Sequence, residues 1–256
     1  MSLVLHRWLK ITLLNLFIVA ALGVVLRYKI AWSLPFIDQK HLLHGHSHFA
    51  FAGWISQAIM VLMVAYLTKE KGVSVFKKYS WLLYANLLTA YSMLIAFPIE
   101  GYGLYSIIFS TLSIIVSYAF AIVYWKDLNR LKNKSVGHKW FKAAVFFNAF
   151  SSLGAFALAI MMVAKIIHQN WYLAAEYFYL HFQYNGWFFF SCMGLVTAQL
   201  FHSAPVLILK RIYLLFAFAV IPAYFLSTLW MNIPVWVYIL VVIAAFAQVA
   251  GWIYMI

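Results

Sequence analysis

The sequence predicts an all-α, polytopic membrane bundle: eight transmembrane helices in two parallel four-helix repeats, with the N and C termini in the cytoplasm. Three observations predict it. The 256-residue chain is 67% hydrophobic and only 9% charged, a balance outside the range of soluble proteins. Its charge-free runs have the length of a bilayer crossing. Its basic residues gather on one side of the membrane once the runs are threaded in alternating directions.

The apolar runs fall near 9–27, 42–67, 79–99, 101–125, 140–164, 177–201, 212–230 and 234–256, and a crossing helix needs about 20 residues. The first follows Arg7 and Lys10 and closes at Arg27 and Lys29 without a small-residue cleavage site, so it reads as a retained helix and not as a secretion signal. Lys78 and Glu100 flank the third run, and Lys142 and Lys165 flank the fifth. No charge interrupts Ile212 to Ile256, and the stretch divides at Met231-Asn-Ile-Pro234, where proline cannot continue a helical ladder.

Lys and Arg outnumber Asp and Glu by 18 to 5. With the N-terminus inside, 14 basic residues lie on the cytoplasmic side and only Arg27, Lys29, Lys40 and Lys165 lie outside, the asymmetry of the positive-inside rule. The positive charge is therefore an orientation signal with anionic lipid as its partner, in the cell membrane, with a bacterial inner membrane the expected location. No nucleic-acid-binding motif accompanies it. Cys192 is the only cysteine, which excludes an intramolecular disulfide, a c-type haem attachment site and a thiolate cluster. No phosphate loop and no serine or cysteine hydrolase arrangement is present.

One signature occurs twice, 133 positions apart: His48-Phe-Ala-Phe-Ala-Gly-Trp54 and His181-Phe-Gln-Tyr-Asn-Gly-Trp187. The same offset aligns Asn15-x-Phe17 with Asn148-x-Phe150 and Ala90-Tyr91 with Ala223-Tyr224. A repeat of about 1–130 followed by one of about 138–256 explains all three, as weak internal symmetry does in other membrane folds. The segment Lys126 to Lys142 joins them, and the whole of 1–256 reads as a single integral membrane domain.

Threaded this way, the histidines of the second and sixth spans lie near the outer face. His41, His44 and His48 share one helical stripe through their i, i+3, i+7 spacing, while His46 points away from it. On the sixth span Tyr177, His181 and Tyr184 form the matching stripe, with Tyr184 at a helical spacing that reaches His181. Intramembrane ionisable groups are costly and usually functional; the plain alternative for each histidine is an interhelical hydrogen bond. His6, His138 and His202 fall among the basic loops and read as surface residues. Glu100 and Glu176, isolated acids in apolar surroundings, are candidates for proton handling or a metal shell, or else helix caps.

Two imidazoles from matched helices can grip one iron from opposite faces, so His48 and His181 are the expected ligands of a bis-histidine haem b. Gly53 and Gly186 would let a macrocycle or a helix backbone come close, and Arg27, Lys29 and Lys40 stand where propionates would emerge. A haem-free alternative is a copper, iron or zinc site built from His41, His44, His46, His48 and His181. A third is a metal permease, although the inner halves of the spans offer a sparse polar path.

The stretch His46-Ser-His48-Phe-Ala-Phe-Ala-Gly53-Trp54 resembles the His-x-His-(x)4-Gly-Trp helix of small proteins related to subunit I of the haem-copper oxidases. More loosely it is similar to the nitric-oxide-response membrane protein family NnrS. The resemblance covers mainly the second span, with support from His181 and Tyr184. It implies haem, with copper as a further metal, electron transfer or handling of a diatomic gas (nitric oxide or oxygen), and an electron-donor protein or quinol as partner. The oxidases' His-His pair and His-Pro-Glu-Val-Tyr motif do not occur in the chain, so it implies a haem-binding oxidoreductase relative short of a complete oxygen-reducing, proton-pumping centre.

Overall fold

The computed structural model describes residues 3–199 and 204–255; His202 lies outside the described residues. The described chain is helical throughout: α1 Leu3–Ala31, α2 Gln39–His48, a π-helix Phe49–Ser56 (π1), α3 Gln57–Lys71, α4 Phe76–Glu100, α5 Leu104–Asn129, α6 Val136–Val163, α7 Gln169–His181, a second π-helix Phe182–Phe188 (π2), α8 Phe189–Gln199, α9 Val206–Ala219, a 3-10 helix Pro222–Thr228 and α10 Val235–Ile253. Seven helices are long and apolar enough to cross a membrane: Leu3–Ala31, Gln39–Lys71, Phe76–Glu100, Leu104–Asn129, Val136–Val163, Val206–Thr228 and Val235–Ile253. These define a helical membrane bundle. Gln169–Gln199 is a further continuous helical stretch, long enough but interrupted by Glu176, His181, Gln183 and Asn185.

Local chemistry sets the ends. Asp38 has extended backbone and its carboxylate accepts the His41 N–H at 2.7 Å, capping α2. α3 stops at Gly72, whose left-handed backbone (φ 66°) is one that a glycine adopts without a Cβ penalty. Pro98 lies in the last turn of α4 without ending it; the helix ends at Gly101 (φ 63°). α9 ends at Ala219, before Pro222 opens the 3-10 helix, so helical hydrogen bonding breaks earlier than the Met231–Pro234 division that the sequence marks. Pro234 then caps the start of α10.

His138 corrects the expectation of a surface histidine. It is only 4% exposed and completes a capping box at the start of α6: its N–H and Nδ1 exchange bonds with the Ser135 side chain and backbone N–H. Glutamate or glutamine is usual at that position, which is why the pattern passes unread in the sequence.

The chain forms two compact units, Met1–Leu131 and Lys132–Ile256. In the first, the core is the face shared by α3 and α4. Met60, Val61, Met63, Val64 and Leu67 are buried with Tyr79, Leu82, Leu83, Ala90 and Phe97, at the 3–4 residue spacing of one helix side. At one end of this unit Asp127 on α5, its side chain 1% exposed, pairs with Lys71 (3.1 Å) and Lys78 (2.6 Å) and accepts the Tyr79 hydroxyl at 2.8 Å. This clasp ties the ends of three helices, and charge counting alone, which treats those lysines as loop residues, does not find it.

The second unit is packed by aromatic rings. Phe182 lies parallel to Phe147 at 5.7 Å and meets Phe150 and Phe178 at 4.8 and 4.7 Å. Phe190 meets Phe147 at 5.2 Å, and Trp187 is fully buried, so Trp187 is a packing residue. Trp54, in the first unit, packs on Val19, Phe49 and Ala90.

Candidate functional site

The histidine stripe of α2 faces the turn between α4 and α5. His48 stacks on Phe97, ring centroids 4.2 Å apart and planes 17° from parallel. One turn earlier His44 meets Tyr102 edge-on at 4.6 Å, and Tyr102 stands perpendicular to Phe97 at 5.3 Å. His41 lies against Gly101, where a Cβ would come within 2.5 Å of Nε2; both that crowding and the positive φ require glycine here. His44 Nε2 is buried and has no hydrogen-bond partner among the described residues.

His46 points away from the stripe, as its spacing predicts. It lies against α1, hydrogen-bonded to the Val19 backbone and in van der Waals reach of Gly23. Glu100 acts as a cap: its carboxylate accepts the Ser106 N–H at 2.6 Å at the start of α5, the plainer of the two roles expected for it. Glu176 is exposed on α7. Lys29 donates to the Leu34 carbonyl at 2.7 Å and so holds the α1–α2 connection, while Arg27 and Lys40 are exposed. Among the described residues no three His, Cys, Asp or Glu side chains are gathered so that they could hold a metal ion.

Each matched histidine is the last residue of an α-helix, and a π-helix begins at the next residue: α2 ends at His48 and α7 at His181. Single π-turns inside α-helices occur often at functional sites. The two histidines differ in their surroundings. His181 is 7% exposed. Its Nε2–H donates to the Val220 carbonyl at 2.7 Å, which leaves Nδ1 as the acceptor, and the Asn185 amide approaches it at 3.2 Å. Both ring nitrogens are therefore engaged, and Tyr184, half exposed, packs on Phe188 at 5.7 Å. Of the two neighbours that helical spacing brings near His181, Tyr184 at i+3 and Asn185 at i+4, it is Asn185 that reaches the ring nitrogen.

The two glycines of the signature are filled by protein. A Cβ at Gly186 would strike the Phe147 side chain of α6 at 2.5 Å, and one at Gly53 would strike the Phe49 ring at 2.6 Å. Of the two uses expected for them, close packing within the unit is the one seen.

Around π1 lies a buried polar set that the sequence shows only as repeat markers, Asn15 and Tyr91, and as members of a sparse polar path, Asn86 and Gln57. Asn15 donates to the Gly53 carbonyl, Tyr91 donates to Asn15 Oδ1 at 2.7 Å, and Asn86 donates to the Ala52 carbonyl at 2.9 Å and to Gln57 Oε1 at 2.8 Å. The available signal was an asparagine or glutamine in the middle of an apolar run, which needs a partner in hydrocarbon. No family model, curated protein or solved structure matches the chain.

Proposed function

We propose that the protein binds haem in the membrane through the imidazole stripe of its first unit, with His48 as axial ligand and His44 beside it. It serves one-electron transfer or the handling of a diatomic gas. The observation that carries this reading is the pairing of His44, whose buried Nε2 has no partner, with His48, held flat on Phe97 at the α–π junction. Aromatic rings pack against both imidazoles, and a haem held there would supply redox and gas-binding chemistry.

The reading keeps His181 as the matched histidine of a second repeat but gives it a bridging role, because as a ligand it would have to release either Val220 or Asn185. It also takes Gln169–Gln199 as an eighth span and both termini as cytoplasmic, which the 133-residue offset between α2–π1 and α7–π2 supports. The stripe then lies at the outer face, with an electron-donor protein or quinol as redox partner and anionic lipid at the basic inner face.

The test is the visible spectrum of the purified protein, oxidised and reduced. A Soret band with sharp reduced bands, lowered by His48→Ala and retained in His138→Ala, is the expected result. A colourless protein carrying stoichiometric copper, iron or zinc would replace haem with a metal site.

A further inference from the structure

The backbone that follows His48 needs outside support. A π-turn holds one residue more than an α-turn, and where α spacing resumes a carbonyl is passed over by the following N–H groups. The N–H of Gln57, which in a continuous α-helix would donate to Gly53, donates to the Trp54 carbonyl. A carbonyl left without a donor in hydrocarbon is costly, so π1 persists where other groups supply donors.

Two side-chain amides supply them from two different helices. Asn15 on α1 reaches the Gly53 carbonyl, and Asn86 on α4 reaches that of Ala52. The Tyr91 hydroxyl, by donating to Asn15 Oδ1, turns the amide so that its NH2 faces π1. Asn15 is 0% and Asn86 2% exposed, so these bonds form away from bulk solvent.

We propose that Asn15 and Asn86 are positioning residues for His48: by holding the π-turn they fix the direction in which the His44–His48 stripe meets Phe97 and Tyr102. Below the turn, α3 is anchored by Met60, Val61, Met63, Val64 and Leu67. If the turn relaxed to α geometry, the stripe would rotate relative to that anchor and His48 would leave Phe97. This deepens the reading above and rests on it for what His48 binds, while the orientation of the ring is testable without haem.

The experiment uses the full chain with labelled histidine, purified without added haem, and reads the His48 ring protons by NMR. Stacked on Phe97, they carry an upfield ring-current displacement. Asn15→Ala and Asn86→Ala should each remove most of it, and Tyr91→Phe part of it, while the His181 resonances stay in place. Unmoved His48 resonances in the double alanine variant would overturn the proposal. Should that variant not fold, Tyr91→Phe decides, because it keeps the ring and its volume; an unmoved His48 there has the same consequence. Haem content is read separately: a colourless wild type whose His48 still shifts defeats the haem reading alone, and a haem-loaded protein whose His48 does not shift defeats the positioning role alone.

Discussion

His181 bridges a break in its neighbour's backbone: its Nε2–H donates at 2.7 Å to the carbonyl of Val220. In a continuous helix that carbonyl would receive the Tyr224 N–H, which donates to Ile221 as the 3-10 helix begins. A donor from α7 thus satisfies a group that α9 leaves behind.

Replacing His181 with alanine should therefore destabilise the protein even if no cofactor touches the ring. The expected cost is about 1–2 kcal/mol, from the unpaired carbonyl and the vacated volume. Thermal unfolding in detergent measures it, and His181→Gln should recover part of the loss. An unchanged unfolding midpoint in His181→Ala would show that the bridge contributes nothing.

The Asp127 clasp predicts an asymmetry between its partners. Asp127→Ala leaves Lys71 and Lys78 with side chains 24% and 45% exposed, able to turn to water, and removes the acceptor of the buried Tyr79 hydroxyl, so it should cost about 1–2 kcal/mol. The Lys71→Ala/Lys78→Ala pair instead strands a buried carboxylate on Tyr79 alone and should cost about 3 kcal/mol or more. Denaturation midpoints of the two variants, compared with a triple variant that removes all three groups, measure the difference; equal losses would refute it.

At the start of α6, Ser135→Ala should cost about 1 kcal/mol through loss of the cap. His138→Ala should likewise lower the unfolding temperature. Neither should change the haem content, which separates a folding role for His138 from the ligand role given to His48; visible absorbance per mole of folded protein makes the comparison.

The cap of α2 predicts a pH dependence. The bond from the His41 N–H holds the Asp38 carboxyl below its ordinary value of 3.8. A carboxyl depressed in the folded state contributes stability that is fully present above the unfolded value and lost as pH falls through the folded one. The protection of the amides at residues 39–42, taken against the intrinsic exchange rate at each pH, should fall once the pH drops below the ordinary value of 3.8, and Asp38→Asn, which still caps but does not titrate, should show a flat protection profile over the same range. A wild-type profile as flat as that of the asparagine variant would refute the cap.

The apolar runs reveal the helices because hydrocarbon demands length and hydropathy of any crossing segment. The seven long apolar helices overlap seven of the runs; several extend past them through interfacial residues such as Lys29 and Lys71, whereas the last, Val235–Ile253, falls inside its run 234–256. The His41–His44–His48 stripe and the divergence of His46 follow equally from helical spacing. The π-turns do not: Phe-Ala-Phe-Ala-Gly-Trp suits α and π geometry alike, and what selects π1 is contributed by Asn15 and Asn86, 33 and 38 positions from His48 in the chain. For the same reason Phe97 and Tyr102 escape a reading by spacing, since they reach the site through the fold of the α4–α5 turn, whereas the Glu100 cap is one of the two roles its isolation among apolar residues suggests. His181 carries the same signature as His48, and its environment differs because of a proline break in another helix.

The inserted residue of π1 also makes the site sensitive to length rather than composition. Deleting any one residue between Phe49 and Ser56 would leave hydropathy, charge and topology nearly unchanged, yet would swing the imidazoles by about 100° around the helix axis. A single in-frame codon loss there would pass every composition-based filter and still separate His48 from its aromatic wall, so insertions and deletions, more than substitutions, are the changes this segment is least able to absorb.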